Sequence, residues 1–166
     1  MAEAFNPADL SVEPKARWAD LHAQIRAVVA GERSRTARFA TAACMLKQAM
    51  GDRFYWVGFY VVDPERPAEL VVGPYQGTLA CLRIEVGRGV CGTAAAERRT
   101  VVVPDVHAFA GHIACDAATR SEIVVPVFAG DGTLAAVLDV DSTESAAFSA
   151  VDQAGLESIC GDLLTV

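Results

Sequence analysis

Apolar residues recur at helical spacing in the first third of the chain. Trp18, Leu21, Ile25, Val28 and Val29 form one stripe, and steps of three and four residues share one face of an α-helix. Pro14 suits the first turn of that helix, where its missing N–H is not needed, and Gly31 ends it. Phe39, Ala43, Leu46 and Met50 form a second stripe, ended by Gly51. Both stripes predict helices packed on a sheet or on a partner chain. Residues 1–12 lack this pattern and read as an N-terminal arm ahead of one domain over 13–166.

After Gly51 the period changes. Phe54 to Val62 is aromatic and β-branched, which predicts a strand. Asp63-Pro64-Glu65-Arg66-Pro67 is a turn, and Glu69 to Val72 a second strand closed by Gly73-Pro74. Leu79 to Val86 holds a short third strand. Gly87-Arg88-Gly89 leads into an alanine-rich helix over 90–97. Thr100 to Val103 is a strand, followed by an irregular loop from Pro104 to Arg120. Glu122 to Phe128 and Leu134 to Val140 pair through a Gly130-Asp131-Gly132 hairpin turn, and Ser149 caps a last helix. That hairpin argues for antiparallel pairing and an α+β fold rather than a doubly wound one.

Strand alternation places candidate chemistry. Trp56, Gly58 and Tyr60 point to one face, with the two aromatics about 13 Å apart along an ideal strand and a gap between them. That reads as a slot for a small ligand, or as a sheet face under a helix. Asp139 and Asp141 share a face about 7 Å apart, flanked by Leu138 and Val140, and Glu122 enters the neighbouring strand. Three carboxylates meeting there would bind an ammonium group or supply a proton. A solvated strand end with a turn at Asp141-Ser142 is the plainer reading.

Composition narrows the classes. The 166 residues carry 14 Lys+Arg against 21 Asp+Glu, a net charge of −7. Such a surface repels nucleic acid and anionic lipid. The 52% hydrophobic content excludes a disordered chain. No stretch approaches the roughly 20 apolar residues that span a bilayer, and the first residues lack the pattern of a signal peptide. The expected setting is a reducing cytoplasm, where five cysteines are not a disulfide framework.

Cys44 and Cys160 fall inside helices and read as small core residues. Cys81, Cys91 and Cys115 lie in or beside irregular backbone. Cys91 opens the helix after Gly89, where a helix N-terminus favours a thiolate. A metal site from Cys81, Cys91, His107, His112 and Cys115 matches no standard zinc spacing, so no metal and no cofactor are expected. A Cys–His hydrolase with His107 or His112 as base has no local motif behind it. A thiol redox site needs a reactive thiolate, a second thiol within reach and access, and these three cysteines offer all of them.

The chain also carries a set of motifs in order: Trp56-Val-Gly-Phe-Tyr60, Gly73-Pro-Tyr-Gln-Gly77, Gly87-Arg-Gly-Val-Cys-Gly-Thr93, Val103-Pro-Asp-Val-His107, Gly111-His-Ile-Ala-Cys-Asp116, Ser121-Glu-Ile-Val-Val-Pro126 and Leu138-Asp-Val-Asp-Ser142. The whole set closely resembles the free methionine-(R)-sulfoxide reductases, which are single GAF domains, over roughly residues 15–160. The resemblance implies an α+β fold with a central antiparallel sheet of about six strands, and a likeness to proteins that dimerise through terminal helices. It implies reduction of free methionine (R)-sulfoxide with thioredoxin as electron donor. Cys115 matches the catalytic cysteine, Cys81 the resolving one and Cys91 an auxiliary one. Trp56 and Tyr60 match the aromatic wall around the substrate methyl. Glu122, Asp139 and Asp141 match the carboxylates that hold the amino group and polarise the sulfoxide. Backbone N–H groups of the 111–116 loop are the expected grip on the substrate carboxylate. A GAF fold alone is also compatible with a non-catalytic sensor for a small molecule or nucleotide.

Overall fold

The computed structural model describes residues 12–165; all but Val12 of the expected arm lies outside them. Two helices, α1 (Pro14–Val29) and α2 (Arg35–Met50), precede the strands β1 (Trp56–Val62), β2 (Glu69–Gln76) and β3 (Arg83–Glu85). Helix α3 (Gly89–Glu97), β4 (Val101–Val103), β5 (Ser121–Phe128), β6 (Leu134–Ser142) and α4 (Ala150–Asp162) complete the domain. The strands form one antiparallel sheet in the order β3-β2-β1-β6-β5-β4. This is the α+β architecture with six antiparallel strands that the sequence implies.

Strand alternation sorts the sheet into two faces. Val57, Phe59, Ile123, Val125, Leu138 and Val140 join the apolar residues of α1, α2 and α4 in one core. The opposite face carries Trp56, Tyr60, Val124 and Val137, with α3 laid over them. The candidate site residues Trp56, Tyr60 and Cys91 occupy this second face. Three helices close the first, so the second is left to one short helix and to loops.

Local chemistry sets the element ends. Ser149 and Asp152 form a capping box at the start of α4. Asp152, 4% exposed, also accepts a hydrogen bond from Trp18 Nε1 at 3.1 Å and pairs with Arg53. One carboxylate thereby joins α1, α4 and the turn before β1. Gly155 faces the Trp18 ring, and a Cβ there would lie 2.5 Å from ring carbon Cγ.

Three sequence expectations shift. Val28 does not join its stripe in the core; it is 48% exposed, while Val29 is buried, because one residue turns an α-helix by about 100° and Leu21, Ile25 and Val29 hold the inward row. β2 does not stop at Gly73-Pro74. Gly58 pairs with Tyr75 and Tyr60 with Val72, so Gly73 and Pro74 together oppose Phe59 alone. This is a β-bulge, where a proline without an N–H does no harm. β6 runs on to Ser142, paired with Ser121, so its acidic end is sheet and not a solvated turn. The 104–120 segment is irregular as expected, apart from one 3-10 turn over Val106–Ala108. Its two ends are joined where Val106 N–H donates to Arg120 O at 2.9 Å, the geometry of an Ω-loop.

Candidate active site

The sheet register assembles the acidic group. Asp141 on β6 stands between Trp56 on β1 and Glu122 on β5, and Asp139 stands between Gly58 and Val124. Two strands thus deliver three carboxylates to one patch beside the aromatic residues. Glu122 and Asp139 are each only 6% exposed, which sets aside the reading of a solvated strand end. Burial pushes the Glu122 carboxyl well above its ordinary range, and Asp141 adds to it. Burial and then Glu122 do the same for Asp139; burial, Asp139 and Asp116 do so for Asp141. Burial first, and then mutual repulsion, therefore favours the protonated carboxyl at this patch. Asp139 Oδ1 is fully enclosed and meets no hydrogen-bond partner, an arrangement that calls for an incoming donor.

The aromatic pair differs from the open slot that strand spacing suggests. The Trp56 and Tyr60 rings are stacked, with centroids 5.9 Å apart, and Tyr75 also stacks on Trp56 at 5.2 Å. Side chains of twisted strands lean, and Gly58 between them has no Cβ to keep the rings apart. A Cβ there would lie 2.7 Å from the Trp56 ring and 2.8 Å from Tyr75 Cα. The aromatics also hold a loop: Trp56 Nε1 donates to Thr78 O and Tyr60 Oη to Cys81 O, each at 3.1 Å. The result is a continuous aromatic wall whose polar atoms anchor the segment carrying Cys81.

Cys81 and Cys115 are joined by a disulfide, with Cα atoms 5.4 Å apart. Cys115 lies on the Ω-loop and lines the cavity that the acids and aromatics also line, and Cys81 reaches it from between β2 and β3. That cavity holds about 40 Å³ of free space, several times the 10–15 Å³ or so that one water needs. Among the described residues no lysine or arginine lines it. Its carboxyl groups are those of Asp116, Glu122, Asp139 and Asp141.

Cys91 does not fit the expectation of an activated thiol. Although it opens α3, it is 3% exposed. Burial, then Asp139, Glu122 and Asp141, push its thiol well above the ordinary value. Its Sγ lies 3.9 Å from Glu122 Oε1. The helix terminus is outweighed by a dry setting and three acids. Cys91, Glu122 and Asp139 bring ligand atoms within 4.8 Å of one another, donor types that suit a divalent cation. The five-residue metal set of the sequence does not form one cluster: Cys81 and Cys115 are bonded to each other, and His107 Nε2 sits 3.0 Å from Arg120. Cys160 is core, as expected; Cys44 is only partly buried.

Several contacts of the site carry no sequence signal of their own. His112 Nε2 lies 3.6 Å from Glu122 Oε2, and burial lowers its affinity for a proton. Asp116 Oδ2 accepts from Tyr55 Oη at 3.0 Å and from Thr78 Oγ1 at 2.7 Å. The two contacts to Asp116 lie between segments 38 and 61 residues apart, so only the folded chain reveals them.

Comparison with known proteins agrees with this geometry. The family model described as GAF domain matches residues 34–164. The free methionine-R-sulfoxide reductase of Escherichia coli is 44% identical over 146 residues, 88% of this chain and 86% of that protein. The X-ray structure of free methionine-R-sulfoxide reductase from Neisseria meningitidis in complex with its substrate is 45% identical. It covers 96% of this chain and 93% of its own, with a TM-score of 0.88. The reduced form of the Staphylococcus aureus fRMsr is 41% identical, covering 89% and 92%, with a TM-score of 0.82. On fold, on motif order and on these likenesses, the chain belongs to the GAF domain family and, within it, to the free methionine-R-sulfoxide reductases.

Proposed function

We propose that the protein reduces free methionine (R)-sulfoxide to methionine, with Cys115 as nucleophile and Cys81 as resolving thiol. The observation that carries this reading is that Cys115 lines a cavity shared with aromatics and buried acids and is bonded to Cys81. In the reduced enzyme the Cys115 thiolate attacks the sulfoxide sulfur. A carboxylic acid of the Glu122/Asp139/Asp141 group protonates the oxygen, the S–O bond of the substrate breaks, and the oxygen ends on Cys115 as a sulfenic acid while methionine departs. The Cys81 thiol then displaces that hydroxyl, water leaves, and the disulfide forms. Cys91 stays a protonated auxiliary thiol beside Glu122. Thioredoxin, with a potential near −270 mV, is the donor that reopens the bond.

The same acids account for the choice of a free amino acid. The substrate ammonium donates to Asp139 Oδ1 and its neighbours, while backbone N–H groups of the 111–116 loop receive the carboxylate. A methionine within a peptide has no such ammonium. It would leave buried carboxylates uncompensated, at a cost of several kcal/mol. Trp56 and Tyr60 pack on the methyl group. The reading further places the enzyme in the cytoplasm as a homodimer, where a thioredoxin system is at hand.

The test is an assay with separate R and S epimers, each free and peptide-bound, using thioredoxin as reductant. Turnover of the free R epimer alone supports the reading. Equal turnover of the peptide-bound form would remove the ammonium argument, and no turnover of any form would return the chain to the sensor class.

A further inference from the structure

Leu79 and Leu82 are 80% and 71% exposed, the most exposed large hydrophobic side chains among the described residues. They stand two places before and one place after Cys81. The loop between them has its polar backbone turned inward, since Thr78 O and Cys81 O accept from the buried Trp56 and Tyr60. What it shows to solvent is apolar. Ile113, 36% exposed, adds to this surface from the loop that carries Cys115. Isolated exposed leucines are ordinary, but two beside a solvent-facing disulfide are a patch with a partner.

We infer that this leucine-flanked loop is the docking surface for the protein dithiol that reopens the disulfide, and that the incoming thiolate attacks the Cys81 sulfur. The inference rests on the redox reading above. The bond itself says what covers the patch. Each cycle a sulfur nucleophile has to approach it along the S–S axis, so the surface is covered briefly and is free in between. A second copy of this chain seated there would block that approach. An apolar rim favours a protein with an apolar face around its own Cys-x-x-Cys pair over a small charged thiol.

The direction of attack follows from the flanking residues. Cys115 is followed by Asp116, whose carboxyl is held below its ordinary range by Ala118 N–H, Thr78 and Tyr55. A thiolate approaching Cys115 meets a carboxylate on the adjoining residue; one approaching Cys81, which is partly buried, comes in over the leucines beside it. The partner's first thiolate forms a bond to Cys81 Sγ, the Cys81–Cys115 bond breaks, and its electron pair leaves on Cys115, which takes up a proton. The partner's second thiol then attacks its own first sulfur and releases Cys81. The partner is oxidised to a disulfide, and both cysteines here end reduced, with the nucleophile freed first.

The experiment compares wild type with Leu82→Ser, driven by thioredoxin or by dithiothreitol. The expected result is a KM for thioredoxin raised about five-fold or more, with dithiothreitol-driven turnover unchanged. An unchanged KM for thioredoxin, an equal loss with both reductants, or a change in oligomeric state with no change in that KM would each overturn the docking surface. A thioredoxin whose second cysteine is serine is then mixed with protein oxidised by diamide, so that the trap works whether or not methionine sulfoxide is a substrate. Peptide mapping is expected to find the mixed disulfide on Cys81; an adduct on Cys115 would overturn the direction of attack. A wild type idle with sulfoxide and both reductants, yet trapped on Cys81, would refute the substrate and support the surface.

Discussion

Thr78 Oγ1 donates a 2.7 Å hydrogen bond to Asp116 Oδ2, and so ties the loop of Cys81 to the loop of Cys115. Tyr55 Oη supports the same carboxylate from the start of β1. Two sulfurs on separate flexible segments meet often only if something else holds those segments together. The latch supplies that proximity, and proximity governs the rate of an intramolecular step.

Asp116→Asn weakens this latch by removing the charge from two hydrogen bonds. Disulfide formation after a single pulse of substrate is expected to slow about ten-fold, while methionine release stays within a few-fold of wild type. Thiol counting against time, alongside methionine quantitation, separates the two steps. Equal slowing of both would show that Asp116 serves the first step instead.

Glu122→Gln sets stability against function. Glu122 is buried beside two other acids, so an uncharged isostere relieves repulsion in the substrate-free protein. The variant is expected to gain about 1 kcal/mol, or about 3 °C in Tm for a chain of this size. Its kcat/KM for methionine sulfoxide is expected to fall at least ten-fold. Calorimetry and steady-state kinetics on one preparation check both halves.

The pH dependence has a definite sign. Glu122, Asp139 and Asp141 all have folded-state values raised above the ordinary carboxylate range. The folded protein therefore holds more protons than the unfolded chain above about pH 4, and stability falls as pH rises from there. Cys91, also raised, acts in the same direction at alkaline pH. His112, with its proton affinity lowered by burial, opposes this with a single group below the ordinary histidine range. Reduced, substrate-free protein is expected to melt several degrees higher at pH 5.5 than at pH 8. Saturating methionine sulfoxide should narrow the gap, because its ammonium compensates the ionised acids. Melting curves across that range settle the sign.

Gly58→Ala places a methyl group where Trp56 and Tyr75 already stand. Overpacking of this kind costs about 1–3 kcal/mol. It also pushes Trp56 off the wall that anchors Thr78, so lower stability and a higher KM for substrate are expected together. Chemical denaturation and kinetics of the variant measure both.

Much of this molecule is legible in its residues. Period two along Trp56–Val62 and Leu134–Ser142 gives both the core face and the site face, because side-chain alternation is local. The motifs around Cys81, Cys91 and Cys115 single out the pocket cysteines from Cys44 and Cys160. Four features are not legible, each for a physical reason. Ring stacking of Trp56 on Tyr60 depends on side-chain lean, which ideal strand spacing ignores. The continuation of β2 through Gly73-Pro74 depends on Phe59 across the ladder. The raised thiol of Cys91 is set by burial first, and then by acids 31 to 50 residues away, rather than by its own helix terminus. The Thr78–Asp116 latch joins positions 38 apart, and no local pattern marks it.

The most direct measurement mixes reduced protein with free methionine (R)-sulfoxide and no external reductant, then counts methionine and maps the disulfides by mass spectrometry. One methionine per chain is expected, with the new bond between Cys81 and Cys115. Cys81→Ser is expected still to release one methionine, and Cys115→Ser none. Methionine released by Cys115→Ser at the wild-type rate would contradict the assignment of the nucleophile, and with it the reaction built around that sulfur.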